Sequence, residues 1–410
     1  MPGTSEKQKH RRISVEQVEI GMYCEDVFNE QDVLILSANI PIASNEQIEL
    51  LKRLGVKYVE IDLKKGSDVR PAKKEEATPV PKERPADAKV TVAEEMPRAR
   101  EVYSRTLETA RNALKAIRLG QAFPTEQIEN MVQEIVGSIM RNSDALLSLS
   151  QIKGYDEYTY EHSVNVAILV CSLCHTLGYE RSIMMEGGIG GLLHDIGKTW
   201  IPEHIVNKPG KFTEAEYAVM KRHPEYGLEI VKDRKGISDL SKQVIVQHHE
   251  RISGKGYPQG LKGGQIHFMG IIAGLADVYD AMTSNRVYRP AFTPQQSLAS
   301  IYNGIDDEFP RKISEHFIKL LGVYPVGSFV RLASGEMGVV IRINRDDVLA
   351  PDIIMLFSQE GQRLQRPIEY RLMEMIKAAG GERYAIEKSL NPLNFGVNIS
   401  DYIKGKITVE

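Results

Sequence analysis

Five histidines and two aspartates, His162, His194, Asp195, His223, His248, His249 and Asp277, fall between positions 162 and 277 of a chain of 410 residues. Three of the imidazoles stand beside another metal-binding side chain, in His194-Asp195 and in the pair His248-His249. Their spacings are too irregular for one helical face, so several segments must converge on one point. A set of nitrogen and oxygen donors brought together in this way predicts a metal centre. It constrains the fold to an arrangement that returns the chain repeatedly to the same place.

The length allows two or three domains of roughly 100 to 200 residues. With 52 basic and 55 acidic residues the formal net charge is -3, which gives no field for steering to nucleic acid or to an anionic membrane. No nucleic-acid partner is expected. There is no run of about 18 apolar residues and no charged stretch leading into an apolar N-terminal core, so no membrane span is expected and a cytoplasmic location is. Three cysteines, Cys24, Cys171 and Cys174, imply no disulfide framework. Cys171 and Cys174 form a C-x-x-C inside the apolar run Val164 to Leu177, where buried helix packing is the better account.

Composition divides the chain. Residues 1–63 are expected to form a small α+β module: Ser44-Asn45-Glu46-Gln47 has the form of a capping box, Ile48, Leu51 and Leu54 follow at helical spacing, and Val56 to Asp62 alternates as a strand does. Residues 64–96 are rich in Lys, Glu and Ala and lack aromatics, which predicts a solvated linker. From 97 to 324 the period is helical. Leu107, Ala110, Leu114 and Ile117 share one face, and Ile128, Met131, Val132, Ile135 and Ile139 share another. The first of these helices can pack within the chain or pair with its copy in a homodimer. Residues 325–410 are expected to be a small β-rich appendage, with strands at Phe329 to Ala333, Val339 to Ile343 and Asp352 to Phe357. The fold class is therefore mainly α, a helical bundle with a small module on each side.

Each candidate ligand has an element to present it. His162 lies near the start of the apolar helix that reaches Leu177. The Gly-rich helix Gly187 to Leu193 delivers His194 and Asp195 consecutively, and adjacent residues on a helix point in different directions, so one can hold a single metal while the other bridges two. Lys198, one turn on, is a compact cation suited to a phosphate oxygen. Thr213 and Glu216 make a capping box for a helix expected to end at His223-Pro224. Leu240 to Val246 is a helical segment terminating in His248-His249. Asp277 sits in the apolar helix Ile271 to Met282, where a carboxylate is costly unless paired or metal-bound, and Asp280 faces nearly the same side one turn on. Seven ligands with one bridging carboxylate suit two divalent ions. A nitrogen and oxygen set without thiolate suggests iron or manganese, with zinc, nickel or cobalt as further options. No organic cofactor is expected.

The segments His194-Asp-Ile-Gly-Lys198 and Gly256-Tyr257-Pro258, with the histidines around them, resemble the HD-GYP phosphohydrolase family, and the similarity runs from about Tyr155 to Phe317. Ile20-Gly21-Met22-Tyr23 resembles the N-terminal module often found ahead of such domains. The resemblance implies an HD-type helical bundle with the first metal on His162, His194, Asp195 and Asp277, the second on His223, His248 and His249, and Asp195 bridging. It implies phosphate contacts from Lys198 and Arg286, with Arg289 nearby and Asp280 among the substrate-binding residues. It gives Asp195 and Lys198 catalytic roles, and makes Gly256-Tyr257-Pro258 a lip for substrate access or for docking a diguanylate cyclase domain. Some members carry a Glu four residues before the first His and bind a third metal; Tyr158 stands there in this chain, so two metals are expected. Ser253 replaces the Asp or Asn that many members have before the first Gly of the loop. The implied activity is hydrolysis of cyclic di-GMP, a bacterial second messenger, to linear pGpG and onward to GMP where the cleft admits an open end. The alternatives are a phosphodiesterase of another cyclic dinucleotide and a signalling adaptor that binds without turnover.

Overall fold

A computed structural model describes residues 10–30, 33–67, 90–121, 123–151, 158–284, 291–344, 347–379 and 381–403. At the N-terminus, β1 (His10–Ser14), β2 (Tyr23–Phe28), β3 (Leu34–Pro41) and β4 (Tyr58–Asp62) form an antiparallel sheet in the order β1-β4-β2-β3. Alternation turns Val27, Ile35, Val59 and Ile61 into its core, all of them fully buried. The helix α1 (Asn45–Arg53) is started by the expected capping box: Ser44 Oγ accepts from the Gln47 amide at 3.4 Å and Gln47 Oε1 accepts from the Ser44 amide at 3.2 Å. The module is packed onto the helices that follow. Asn29 Nδ2 donates to the Leu177 carbonyl at 3.3 Å in a buried contact, Arg53 pairs with Glu186 at 2.9 Å, and one apolar cluster runs through both parts.

The long helix α2 (Val92–Arg118) starts earlier than composition suggests. Residues 92–96 belong to it rather than to the expected linker, because Thr91 and Glu94 make a capping box hidden within the Lys- and Glu-rich run. Glu95, buried in its first turns, is bound by Ser138 Oγ at 2.8 Å and by the Arg141 guanidinium at 2.7 Å, which ties α2 to α3 (Thr125–Arg141). Then follow α4 (Ser143–Ser150), α5 (Tyr158–Thr176) and α6 (Arg181–Leu193). The glycines of α6 serve packing, as expected: Gly188 abuts Cys171 and Gly190 abuts Val244. Cys171 and Cys174 are free and fully buried.

A 3₁₀ segment (Ile196–Trp200) and the short α7 (Glu203–Val206) lead to α8 (Glu214–Met220), α9 (His223–Val231), α10 (Asp239–Gln247), α11 (Phe268–Thr283), α12 (Pro294–Asn303) and α13 (Arg311–Leu321). The Thr213–Glu216 box opens α8, but that helix ends at Met220 instead of reaching His223. Pro224 lies in the first turn of α9, where its missing N–H costs nothing, so it starts a helix rather than stopping one.

The C-terminal sheet contains more than the three expected strands: β5 (Phe329–Leu332), β6 (Met337–Arg342), β7 (Asp352–Phe357), β8 (Arg363–Arg371) and β9 (Ile386–Leu390) pair in the order β8-β7-β6-β5-β9, with α14 (Leu372–Ala379) and α15 (Ile399–Ile403) alongside. The missed strands are the two edges. β8 is largely exposed and carries Pro367, a residue that edges tolerate, so it has no apolar alternation to announce it. Among the described residues no helix is long and apolar enough to cross a membrane.

Candidate metal centre

The seven expected ligands meet at one place. His162 enters from α5, His194 and Asp195 from the end of α6, His223 from the start of α9, His248 and His249 from the end of α10, and Asp277 from α11. His162, His194, His223, His248 and Asp277 are buried, and Asp195 and His249 nearly so, with side chains 12% and 19% exposed.

A local device aims three of the imidazoles. His194 follows the last residue of α6, His248 the last of α10, and His223 lies just beyond α8, so each has unused helix-end carbonyls behind it. His194 Nδ1 donates to Gly191 O at 2.8 Å, His223 Nδ1 to Met220 O at 2.8 Å and His248 Nδ1 to Ile245 O at 3.0 Å. A carbonyl can only accept, which places the proton on Nδ1 and leaves each Nε2 lone pair facing the centre. For His162 a carboxylate does this work: Asp280 Oδ2 lies 2.7 Å from His162 Nδ1. Asp280 is wholly buried behind the ring, so it orients a ligand and is not placed to touch substrate, contrary to the expectation.

The donor atoms fall into two groups. His162, His194 and Asp277 form one; Asp195, His223, His248 and His249 form the other, with the donor atoms of each group within 4.8 Å of one another. Asp195 joins them through different oxygens. Its Oδ2 is 3.3 Å from His194 Nε2 and 3.8 Å from His162 Nε2, while its Oδ1 is 3.2 Å from His223 Nε2 and 3.9 Å from His248 Nε2. On the Asp277 side, Oδ1 is 3.2 Å from His162 Nε2 and Oδ2 is 3.9 Å from His249 Nδ1. Ligand atoms bound about 2.1 Å from one cation at right angles lie about 3 Å apart, so the inner edges have the length that coordination requires. His194 Nε2 and Asp195 Oδ1 are buried with no hydrogen-bond partner, a costly state for polar atoms that a cation would relieve. The residues fit a pair of divalent ions.

The electrostatics prepare the same set. Burial works to raise the Asp195 carboxyl, but Lys198 and His194 hold it well below the usual range; Asp277 is likewise held down against burial by His162. Burial lowers His223 to about 4, and burial with the neighbouring imidazoles lowers His248 and His249 well below ordinary histidine. Anionic carboxylates and neutral imidazoles are the forms that bind metal. His162 is the exception: burial lowers it, yet its bonds to Asp277 and Asp280 raise it to about 9.

Two contacts between backbones set the site's dimensions. A Cβ on Gly197 would lie 1.9 Å from His223 O and 2.4 Å from Gly227 N, so only glycine lets the 3₁₀ segment press on α9 and bring Asp195 to His223. A Cβ on Gly256 would lie 2.4 to 2.5 Å from the backbone of His249, Glu250 and Arg251, so that glycine lets the loop lie on the end of α10. Tyr257 then stacks on His249, with ring centroids 4.5 Å apart and planes 25° apart, and its amide donates to His249 O at 3.2 Å. Pro258 follows through a cis peptide bond.

Sequence reasoning missed Glu250. Its buried carboxylate accepts from the Gln259 amide at 2.7 Å and the Leu261 amide at 2.9 Å, which ties the loop to α10. The available signal was an acidic residue directly after two ligands. Lys198, partly exposed, places Nζ 2.5 Å from Asp195 Oδ2 at the rim. Arg286 and Arg289 lie outside the described residues.

Residues 141–312 match the HD domain family, and residues 10–128 match a domain of unknown function. A cyclic di-GMP phosphodiesterase of Pseudomonas aeruginosa is 35% identical over 381 residues, covering 91% of each chain. A 3'3'-cGAMP-specific phosphodiesterase of Vibrio cholerae is 37% identical over 139 residues, 34% of this chain and 27% of that one. Among solved structures, an HDG"Y"P protein from Bdellovibrio bacteriovorus aligns with a TM-score of 0.47 at 18% identity, over 76% of this chain and 99% of that one.

Proposed function

Because this chain belongs to the HD-GYP family of HD-domain proteins, we propose that it is a metal-dependent phosphodiesterase that hydrolyses cyclic di-GMP to linear pGpG, and onward to GMP where the cleft admits an open end. The observation that carries this reading is the division of Asp195: each carboxylate oxygen belongs to a different group of imidazoles, as a bridge between two cations requires. His162, His194, Asp195 and Asp277 would hold one ion, and Asp195, His223, His248 and His249 the other, with iron or manganese best suited to this thiolate-free set. When bound, such a pair supplies a water acidic enough to ionise near neutral pH and neutralises charge on a phosphate.

The chain's own groups contribute binding and orientation. The Nδ1–H bonds of His194, His223 and His248 keep their Nε2 atoms directed inward. Lys198, anchored on Asp195 and reaching the rim, would donate a further hydrogen bond to a phosphate oxygen and offset charge that grows there. Tyr257, laid over His249 by the glycine beside it, covers the second group and excludes water from that side. The chemistry transfers water across one P–O3' bond, leaving a 5'-phosphate and a 3'-hydroxyl.

The test is product analysis after anaerobic incubation of the full chain with cyclic di-GMP and Fe(II) or Mn(II), with 3'3'-cGAMP in parallel and Asp195→Ala as control. pGpG or GMP from the unsubstituted protein alone is the expected result. Intact cyclic di-GMP beside a fully loaded metal site refutes the reading, and turnover of cGAMP alone would reassign the substrate.

A further inference from the structure

Two large aromatic rings stand exposed on the elements next in the chain to Asp195 and His223. Tyr217 on α8 is 46% exposed, and Trp200, the last residue of the 3₁₀ segment and the one tryptophan of the chain, is 53% exposed. Each connects to the centre through ring contacts or a rigid element. Tyr217 meets Tyr257 edge to face at 6.5 Å between centroids, and Tyr257 is itself stacked on His249. Trp200 lies 5.8 Å from Tyr226, which is one helical turn after His223 in α9. Trp200 is five residues after Asp195, about 10 Å along a 3₁₀ path. The close contact at Gly197 fixes the segment carrying Trp200 against the helix carrying Tyr226.

Cations lie over Tyr217 and over Tyr226, the neighbour of Trp200. Lys221 Nζ lies 5.1 Å over the Tyr217 ring, and the Arg222 guanidinium lies 4.7 Å over Tyr226. Exposed aromatic faces with interleaved positive charge are the arrangement by which proteins hold nucleobases without reading their edges. A substrate whose scissile phosphate sits at the metals carries two bases outward from it, and here one platform closes the 3₁₀ segment that follows Asp195 and the other stands on α8, the helix that precedes His223.

We propose that the two purine bases of the cyclic dinucleotide rest on Tyr217 and Trp200, one on each. This deepens the phosphodiesterase reading and rests on it. Stacking energy is nearly the same for every purine, so these platforms supply affinity, and choice between guanine and adenine must come from other groups.

The single tryptophan gives a direct readout. In stopped flow, the Mn(II)-loaded full chain mixed with cyclic di-GMP should show saturable quenching of Trp200 emission before the first turnover. Trp200→Ala and Tyr217→Ala should each raise KM for cyclic di-GMP about 5- to 150-fold, the range that loss of one base stack produces. Trp200→Phe and Tyr217→Phe should restore most of that loss. For methyl p-nitrophenyl phosphate, which carries no base, the same alanine variants should lose markedly less, whereas damage to the fold would lower both substrates alike. Absent quenching at saturation, or either alanine variant keeping the unsubstituted KM, overturns the proposal while leaving hydrolysis by the unsubstituted chain intact. Failure of that chain to cut cyclic di-GMP with both metals loaded overturns the phosphodiesterase reading, and this proposal with it.

Discussion

Replacing Gly197 by alanine tests whether one backbone contact sets the spacing of the metal centre. The added Cβ would stand 1.9 Å from His223 O and 2.4 Å from Gly227 N, and both obstacles are backbone of α9, with no flexible side chain to swing away. Reaching even the tightest contact a Cβ tolerates, about 3.0 Å, requires the two elements to separate by about 1 Å. That motion acts on the gap between Asp195 Oδ1 and His223 Nε2, now 3.2 Å, and would open it to about 4 Å. A misplacement of about 1 Å at a reacting centre costs on the order of 100-fold in rate, and forcing a methyl into a packed contact costs about 1–3 kcal/mol of stability. The expected Gly197→Ala protein is therefore folded, with a lowered Tm by circular dichroism, kcat/KM for cyclic di-GMP down about 100-fold, and less bound Mn(II) per chain by elemental analysis. The deficit should fall on the group containing His223. A variant with full metal content and kcat/KM within threefold of the unsubstituted enzyme would refute the argument that this glycine positions His223.

Three further outcomes follow from the same contacts. Asp280→Asn removes the charged partner of His162 Nδ1, and loss of such a group costs about 10- to 100-fold in metal affinity; competition with a chelator should show it, and an unchanged affinity would mean that Asp280 does not orient the ring. Glu250→Ala releases two loop amides and should speed hydrogen exchange at Gln259 and Leu261; unaltered exchange would show that the loop is held by other means. His267 caps α11 by accepting from the Met269 amide and is lowered by burial to about 4, below an ordinary value near 6.5. The unfolded chain then binds more protons between those values, so this contribution is present above pH 6.5 and is lost as pH falls toward 4, by up to about 3 kcal/mol. His267→Asn keeps a capping side chain that does not titrate, so urea melts at pH 4.5 and 7 should differ less for it than for the unsubstituted protein; equal differences would discount His267.

The legible part of this site was carried by short-range signals. His194, His223 and His248 were recognisable because each stands at a break in a helical pattern, and the structure explains why that position suits a ligand: the carbonyl three residues earlier fixes the proton on Nδ1 without help from any distant residue. Asp277 was recognisable because a carboxylate amid Ile, Ala and Leu needs a partner. What could not be read were roles that depend on what lies behind a side chain. Asp277 and Asp280 share nearly one face of α11, yet one faces the donors and the other supports His162, a difference set by where α5 crosses. The role of Gly197 appears only when His223 O is found against it, and that of Glu250 only when the loop amides close over it. The helix ends went wrong at Pro224 for the opposite reason, since proline ends one helix or begins another according to the residues before it, and here α8 had already finished at Met220. The ligand set is therefore written locally in the chain, whereas its spacing is written in glycines and buried carboxylates whose meaning appears only when two segments touch.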